Sequence, residues 1–148
     1  MSEQQSQAET IGRWMEQRDH FARLLGIELE AVGPGYSRAV LQVTQEMLNS
    51  VGLTHGGVTF TLADFAFAVA SNSHGRVAVA LAAQISYPAA SSQGERLIAE
   101  AREQSRTGRT GLYSVEVRTG EGQLVGLFTG NVYRRSDNVS DWIKREQT

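Results

Sequence analysis

One stretch in the middle of the chain, THGGVTFTLADFAFAVASNSHG (residues 54–75), constrains the fold more than any other part of the sequence. Its apolar residues fall on nearly every side of a helix, and such a helix has to be covered on all sides. Asp64 interrupts this pattern, and a carboxylate taken out of water costs several kcal/mol unless it is paired or hydrogen-bonded. Either the surroundings of Asp64 are not dry, or the charge is there for chemistry.

The rest of the chain predicts strands around this helix, in an α+β domain. An amphipathic helix is predicted at about residues 10–25, and two half-buried strands at residues 27–32 and 36–43. After Gly75 come four further strand candidates: RVAVALAAQISY, RLIAEAREQS, GLYSVEVRT and LVGLFTGNVYRR. Short connections favour antiparallel neighbours. We therefore predict a curled antiparallel sheet around the central helix, frayed tails at both ends, and a second subunit covering what one sheet leaves open.

Composition excludes several classes of protein. A length of 148 residues suits a single domain, residues 1–148. The net charge of −2 offers no basic excess for nucleic acid. The absence of cysteine removes disulfides and thiolate nucleophiles, and it fits a reducing cytoplasm. No apolar run is long enough for a membrane span, and the first residues do not resemble a secretory signal. We expect a cytoplasmic protein that binds neither nucleic acid nor membrane.

The polar groups near the start of the central helix suit the hydrolysis of an activated acyl group. Gly56 and Gly57 leave backbone N–H groups at the positive end of the helix, where an oxyanion or carbonyl oxygen can be held. Asn49 in the preceding loop offers an amide that can orient water or a carbonyl. With the Asp64 carboxylate, these groups suffice without a Ser or Cys nucleophile. Taken alone, Asp64 could equally be satisfied by neighbouring hydroxyls, and His55 is more often an ordinary loop residue.

No metal and no cofactor are predicted. His20 and His74 have no partner at metal-ligand spacing, and the sequence contains no G-x-S-x-G elbow of a serine hydrolase. Four arginines stand near predicted strand ends: Arg106, Arg109, Arg134 and Arg135. Such arginines are most often solvated, and the alternative is a phosphate-bearing substrate at that edge.

The segment NSVGLTHGGVTFTLADFAFAVASNSHG resembles the signature of hotdog-fold acyl-CoA thioesterases, and specifically their PaaI-type branch of phenylacetate degradation. That branch typically shows an Asn, a His-Gly-Gly six residues later and an Asp nine residues after the His. Asn49, His55 and Asp64 stand at these positions. TGLYSVEV and LVGLFTGNVYR resemble the later strands of the branch, so the resemblance covers about residues 20–135. Pro88 and the alanines after it replace a Leu-Arg-Pro-like turn, so other arginines would have to hold the coenzyme A phosphates.

The resemblance implies a hydrolase that cleaves an aryl-acyl-CoA, such as phenylacetyl-CoA, to the free acid and coenzyme A. Asp64 would act as nucleophile or general base, and Asn49 would orient the attacking water. Gly56, helped by Gly57, would polarise the thioester carbonyl, and His55 would shape the loop or contact the carbonyl. The substrate would also contact three residues: Phe67, Ala68 and Arg109. The first two follow Asp64 by three and four positions and so share roughly its face of the helix.

In this family the active site lies between two subunits, so the resemblance also implies a homotetramer built as a dimer of dimers, with Asp64 and Asn49 supplied by different chains. Other functions stay open. One is a thioesterase for short- or medium-chain acyl-CoA, and another is a non-catalytic acyl-CoA-binding hotdog protein. A hotdog dehydratase would use a catalytic His and an acid in a different motif, which this sequence does not show.

Overall fold

The computed structural model describes residues 1–147. The helices are α1 (Glu3–Arg18), α2 (His20–Leu24), α3 (Gly56–Asn72) and α4 (Val139–Glu146). The strands are β1 (Glu28–Gly33), β2 (Tyr36–Gln42), β3 (Arg76–Ser86), β4 (Arg96–Thr107), β5 (Thr110–Thr119) and β6 (Leu124–Asn138). All six predicted strands are present, and the long apolar helix is α3.

The six strands form one antiparallel sheet in the order β1-β2-β4-β5-β6-β3. Strands β4, β5 and β6 follow one another through short turns, as expected for antiparallel neighbours. Strand β3 pairs with β6 alone and therefore lies at one edge of the sheet. Helix α3 contacts all six strands. The predicted arrangement, an antiparallel sheet wrapped around a long central helix, is confirmed.

Helix α3 is covered more completely by its own chain than its sequence suggests. Eleven of its seventeen residues are buried, because α1 and α2 pack against it in addition to the sheet. The residues that remain accessible form one stripe along the helix: Gly56, Gly57, Phe60, Thr61, Asp64 and Ala68. Their spacing of three or four residues places them on a single face. The sheet alone does not cover the helix, but α1 and α2 of the same chain cover most of what the sheet leaves open, and this stripe stays accessible.

The N-terminal helix differs from the prediction of one helix over residues 10–25 after a frayed tail. Helix α1 already begins at Glu3, because the Ser2 hydroxyl caps it by accepting the N–H of Gln5 at 3.0 Å. The chain breaks at Asp19, which is extended and whose carboxylate caps α2 by accepting the N–H of Ala22 at 3.0 Å. Asp19 and its cap lie in the middle of the apolar helical pattern and divide one predicted helix into two.

The C-terminal residues form a short helix, α4, which is tied to α1, where the sequence predicts a frayed tail. The Glu146 carboxylate accepts the indole N–H of Trp14 at 2.8 Å and pairs with Arg18 at 2.7 Å. The part of the predicted frayed C-terminal tail that falls on Thr148 lies outside the described residues. Among residues 1–147, no helix is both long and apolar enough to cross a membrane.

Candidate active site

Asp64 lies half-buried in the accessible stripe of α3. Within residues 1–147 its carboxylate has neither a hydrogen-bond donor nor a cation as partner. Burial raises the pKa of Asp64, and the nearby charge of Asp19 raises it further. The alternative that hydroxyl groups satisfy this carboxylate is wrong at Thr61, because its hydroxyl donates to the carbonyl oxygen of Gly57 instead. A carboxylate kept in this state is a candidate proton acceptor.

The first turn of α3 presents one free backbone donor. The Nδ1 atom of His55, the N-cap residue, accepts the N–H of Gly57 at 2.9 Å. The predicted help of Gly57 in polarising a carbonyl is therefore not supplied by its N–H group. Within residues 1–147 the N–H of Gly56 has no acceptor, so it remains available at the positive end of the helix.

The side chain of His55 presents an N–H donor to solvent. Because its Nδ1 atom accepts a hydrogen bond, the neutral ring holds its proton on Nε2. The side chain is exposed, and its backbone N–H donates to the carbonyl oxygen of Met47 at 2.8 Å. These contacts hold the loop before α3 at His55, and its Nε2–H can donate a hydrogen bond to a carbonyl oxygen.

The oxygen and the nitrogen of the Asn49 side-chain amide have different roles. Its Oδ1 atom accepts the N–H groups of Val51 and Leu53, both at 3.0 Å, and so fixes the loop before α3. Since both partners are donors, the amide orientation is determined and the Nδ2 group points elsewhere. Asn49 can therefore still donate to a water molecule or a carbonyl, but its oxygen already accepts two hydrogen bonds.

Tyr87, which follows β3, separates two cavities near the start of α3. Its hydroxyl donates to the carbonyl oxygen of Gly56 at 2.9 Å. On one side, a cavity of about 350 Å³ is lined by Asn49, Gly56 and Tyr87 together with residues of the following loop, among them Ala89 and Ser91. The structure thus brings Asn49 and Gly56 to one cavity. Asp64 does not line it.

The cavity on the other side of Tyr87 is a largely apolar groove along the stripe of α3. It measures about 490 Å³ and has these lining residues: Phe21, Leu25, His55, Gly57, Val58, Phe60, Thr61 and Tyr87. The ring of Phe21 is 57% exposed there, although it is large and apolar. Thr61 lies one turn before Asp64 on the same face, so the groove runs toward the carboxylate.

Ala68, but not Phe67, shares the accessible face with Asp64. Four residues along a helix place a side chain about 40° from the starting direction, and three residues place it about 60° to the other side. Phe67 is only 1% exposed, and its ring packs against Tyr113 and Phe128 in the core, with centroids 5.8 and 5.3 Å away. The prediction that Phe67 forms a wall of the cleft is therefore wrong. Ala68 is half-buried and leaves room beside the carboxylate.

Arg109 lies far along the sheet from the start of α3. It stands in the turn between β4 and β5 and donates to the Ser136 hydroxyl at 3.2 Å. Its backbone carbonyl accepts the N–H of Arg134 at 2.7 Å. His74, for which the sequence shows no partner at metal-ligand spacing, contacts the Glu103 carboxylate at 2.8 Å near the same end. Within the described part of the chain, no group of three His, Asp or Glu side chains could hold a metal ion.

Gly56 and Asp64 of one chain cannot act on the same carbonyl group. They are eight residues apart on α3, which corresponds to about 12 Å along the helix axis. Reacting atoms must approach to about 3–3.5 Å, and the short Asp side chain cannot bridge the remainder. The free N–H and the carboxylate therefore belong to different reaction sites unless a second copy of the chain completes each site.

Sequence reasoning missed Tyr87, Phe21 and Leu25 as residues of these cavities. Phe21 and Leu25 fit the apolar pattern of the predicted helix, so nothing marked them as cavity residues. Tyr87 stands at the end of an apolar strand, and only the fold shows that its hydroxyl reaches Gly56. The fold also shows that a Cβ on Gly56 would lie 3.2 Å from the Tyr87 ring.

Comparison with known proteins places these features in a family. A family model described as Thioesterase superfamily matches residues 51–126. Over 126 residues the chain is 37% identical to the acyl-coenzyme A thioesterase PaaI of Escherichia coli K12, an alignment that covers 85% of this chain and 90% of that protein.

Comparison with solved structures gives the same result. The structure of the E. coli PaaI protein from the phenylacetic acid degradation operon has a TM-score of 0.88 and 34% identity, covering 90% of this chain and 97% of that one. A Streptococcus mutans UA159 protein bound to acetyl CoA has a TM-score of 0.73 and 26% identity, covering 76% of this chain and 90% of that one.

Proposed function

Because this chain belongs to the thioesterase superfamily, as a hotdog-fold thioester hydrolase of the PaaI type, we propose that it hydrolyses an aryl-acyl-CoA to the free acid and coenzyme A. The resemblance stated from the sequence is confirmed at the level of family, fold and thioester hydrolysis. The aryl group, the assembly and the role of each residue belong to the proposal. The proposal also includes a cytoplasmic location, which the absence of cysteine from the sequence supports.

The observation that carries the proposal is the state of Asp64. Its carboxylate is half-buried, has no partner among residues 1–147 and has a raised pKa. Keeping an unpaired carboxylate beside an apolar groove destabilises the folded chain. The same state suits a group that must take a proton or attack a carbonyl, since desolvation strengthens it as a base.

The reaction needs a second copy of the chain. The Gly56 N–H of one subunit would bind the thioester oxygen, and Asp64 of the other would face the same carbonyl carbon, because about 12 Å separates the two groups within one chain. In a two-fold dimer, this contact occurs twice. Asn49, which shares a cavity with Gly56, would then act opposite the partner subunit's Asp64.

Strand β3 offers the surface for this dimer. It lies at an edge of the sheet and spans eleven residues, and its Val79 and Leu81 are 41% and 58% exposed. A long apolar edge strand invites pairing with another strand. Antiparallel pairing of two β3 strands would join two sheets into one and bring the two α3 helices together.

A dimer of dimers would use the outer face of the sheet. Three large apolar side chains are exposed there on neighbouring strands: Leu112 (41%), Leu127 (45%) and Tyr133 (39%). The register places all three on one face of β5 and β6, with Leu112 diagonal to Tyr133 and Leu127 farther along β6. Exposed apolar side chains that share one face of a sheet support an interface there.

Two routes for Asp64 fit this geometry. As a general base, Asp64 takes a proton from a water molecule whose oxygen attacks the carbonyl carbon. As a nucleophile, it forms an anhydride with the acyl group, and water then cleaves that anhydride. In both routes the C–S bond breaks, and the departing thiolate takes up a proton. The Gly56 N–H stabilises the oxyanion in each case, with the Nε2–H of His55 as a second donor.

A single turnover in ¹⁸O-labelled water separates the two routes. With excess enzyme, the base route places the label in the released acid at once. Only the nucleophile route can place label in the carboxylate of Asp64, by attack of water on the Asp64 carbonyl of the anhydride, and mass spectrometry of the peptide detects this label.

The acyl group would lie in the groove lined by Phe21, Leu25 and Phe60. An aromatic ring in such a groove gains about 0.5–1.5 kcal/mol from offset or edge-to-face contacts beyond the area it buries. We therefore place the aryl recognition on Phe21 and Phe60, since Phe67 lies in the core. Ala68 leaves space next to Asp64 for the reacting end of the acyl group.

A thiol-release assay across acyl-CoA substrates tests the function. We expect wild-type protein to release coenzyme A from phenylacetyl-CoA with a higher kcat/KM than from palmitoyl-CoA or hexanoyl-CoA. Asp64→Asn should lower turnover by at least about a hundredfold. A preference for hexanoyl-CoA would favour the short- or medium-chain alternative. Binding without thiol release would favour the non-catalytic alternative, and enoyl product from a hydroxyacyl thioester would identify a dehydratase.

A further inference from the structure

The side chain of Tyr87 lines both the apolar groove along α3 and the neighbouring cavity of about 350 Å³. On the groove side it stands beside His55, and on the other side it stands with Asn49 and Ala89. Within the part of the chain that the structure describes, the two cavities share no other lining residue. The Tyr87 side chain is therefore the partition between them.

Two constraints hold the Tyr87 ring across this boundary. Its hydroxyl donates to the carbonyl oxygen of Gly56 at 2.9 Å, and burial raises the pKa of this hydroxyl, so it keeps the proton that it donates. Pro88 follows directly, and a residue before proline is confined to extended backbone. The Tyr87 side chain is nevertheless 49% exposed and lies outside the hydrophobic core. Core packing therefore does not account for its position.

Tyr87 stands at the end of the groove that is remote from Asp64. Its hydroxyl contacts Gly56, the first residue of α3, whereas Thr61 brings the groove to within one turn of Asp64. Gly57 and Asp64 are seven residues apart, which is about 10 Å along the helix axis. An acyl group whose reacting end lies at Asp64 and whose other end follows the groove would therefore meet the Tyr87 ring after about this distance.

The cavity behind Tyr87 suits a hydrocarbon chain, because most of its polar groups already have partners. The Ser91 hydroxyl donates to Oγ1 of Thr54 at 2.7 Å, and Oδ1 of Asn49 accepts two backbone N–H groups. Four further lining side chains are apolar: Leu53, Ala89, Ala90 and Val125. The ring of Tyr87 therefore closes off space that a longer acyl chain could otherwise fill.

We propose that Tyr87 limits the length of the acyl group, because its ring closes the groove so that a compact aryl-acyl group fits and a longer straight chain does not. This inference rests on the proposed function, which places the acyl group in the groove. The methylenes of a longer chain find no apolar surface beyond the ring, and they stay in water. Each methylene that an enzyme can hold in an apolar pocket raises kcat/KM, so the ring discriminates against the longer substrate.

The test compares decanoyl-CoA with phenylacetyl-CoA. The measured quantity is the ratio of kcat/KM for decanoyl-CoA to that for phenylacetyl-CoA, so a general loss of turnover from the lost Gly56 contact cancels. Tyr87→Ala should raise this ratio at least about tenfold, because one methylene in an apolar pocket is already worth about that factor. Tyr87→Phe keeps the ring and loses the hydrogen bond to Gly56, so it should raise the ratio much less.

Leu24→Ala is the matched control. Leu24 is also a large exposed side chain and directly precedes the groove residue Leu25, but it lines neither cavity. Its substitution should leave the ratio unchanged. Tyr87→Leu should raise the ratio in the same direction as Tyr87→Ala, and it tests the inference even if Tyr87→Ala does not fold. An unchanged ratio in the folded variants, or an equal rise in Tyr87→Phe, would overturn the inference.

Binding measured without turnover separates the inference from the proposed function. In protein that carries Asp64→Asn, calorimetry gives the affinities for the two acyl-CoAs, and adding Tyr87→Ala should raise the affinity for decanoyl-CoA relative to phenylacetyl-CoA. If wild-type protein hydrolyses neither thioester but this shift in affinity is seen, the proposed function fails and the role of Tyr87 stands. If both thioesters are hydrolysed and neither the ratio nor the relative affinity responds to Tyr87→Ala, the function stands and the inference fails.

Discussion

The hydroxyl of Tyr87 donates a 2.9 Å hydrogen bond to the carbonyl oxygen of Gly56, which joins the end of β3 to the first residue of α3. The ring stands so close that a Cβ on Gly56 would lie 3.2 Å from the Tyr87 Cζ and hydroxyl oxygen atoms. The contact fixes the Gly56–Gly57 peptide, which directly follows the peptide that carries the free Gly56 N–H. A side chain at position 56 would therefore have to displace the Tyr87 ring by a few tenths of an ångström.

Gly56→Ala should impair catalysis more than stability. The added methyl group displaces Tyr87 and turns the peptide whose N–H polarises the thioester, and loss of such a donor costs about a hundredfold or more in kcat. We expect kcat for phenylacetyl-CoA to fall at least tenfold, with a change in Tm of only a few degrees.

Gly120→Ala is the control for this substitution. A Cβ at Gly120 would meet only the Arg96 Cβ atom, at 4.0 Å, so both kcat and Tm should stay near the wild-type values. Wild-type kcat in Gly56→Ala would remove Gly56 from the mechanism.

Asp64→Asn should raise the thermal stability while it abolishes turnover. The raised pKa of Asp64 means that the folded state favours the protonated form. Below the pKa of the unfolded chain, near 3.9, this residue costs nothing. As pH rises above this value, the unfolded chain ionises first, so the folded state loses stability until the folded pKa is passed and the loss is complete. Calorimetry should therefore show Asp64→Asn with a higher Tm than wild type at pH 7, and a smaller difference at pH 3.5. A lower Tm at pH 7 would show that the carboxylate has a stabilising partner.

Asp19→Asn should shift the acid limb of the pH profile. The charge of Asp19 contributes to the raised pKa of Asp64, after burial. Asn keeps the cap of α2, because its side-chain oxygen can still accept the N–H of Ala22. The pKa of Asp64 then falls, and more of it is ionised at a given acidic pH. The acid limb of kcat/KM should move to lower pH. Glu121→Gln, a charge change in the exposed β5–β6 turn, should leave the limb in place.

The sequence predicted the parts of the fold that depend on local pattern. The run from Gly56 to Asn72 is apolar with helical length, and the strands alternate, so their elements and the position of Asp64 could be predicted. Phe67 could not be assigned, since the choice between cleft and core depends on where the sheet packs. The end of α1 at Asp19 could not be predicted either, because the apolar pattern continues through this position and does not show that Asp19 caps a second helix. Tyr87 joins the site through a contact between residues far apart in sequence, which no local pattern encodes.

Phe21→Ala should weaken the preference for aryl substrates. The ring is 57% exposed and lines the groove, so its loss removes an aromatic wall but little of the core. Aromatic contacts of about 0.5–1.5 kcal/mol correspond to about a two- to tenfold loss in kcat/KM for phenylacetyl-CoA relative to hexanoyl-CoA. Phe67→Leu should act in the opposite way, lowering Tm because it leaves space in the core while keeping the substrate ratio. An unchanged ratio in Phe21→Ala would place the acyl group outside this groove.

Mixing two inactive variants should restore activity if each site takes Asp64 from one subunit and Asn49 from the other. Asp64→Asn and Asn49→Ala each disable both sites of their own dimer. After unfolding and refolding an equal mixture, half of the dimers are mixed, and each mixed dimer has one site with both residues intact. Thiol release should reach about a quarter of the wild-type activity, above that of either variant refolded alone. Leu81→Lys, which puts a charge on the edge of β3, should prevent both dimer formation and this recovery. Light scattering that shows dimers in the mixture without recovered activity would mean that Asp64 and Asn49 serve the same chain.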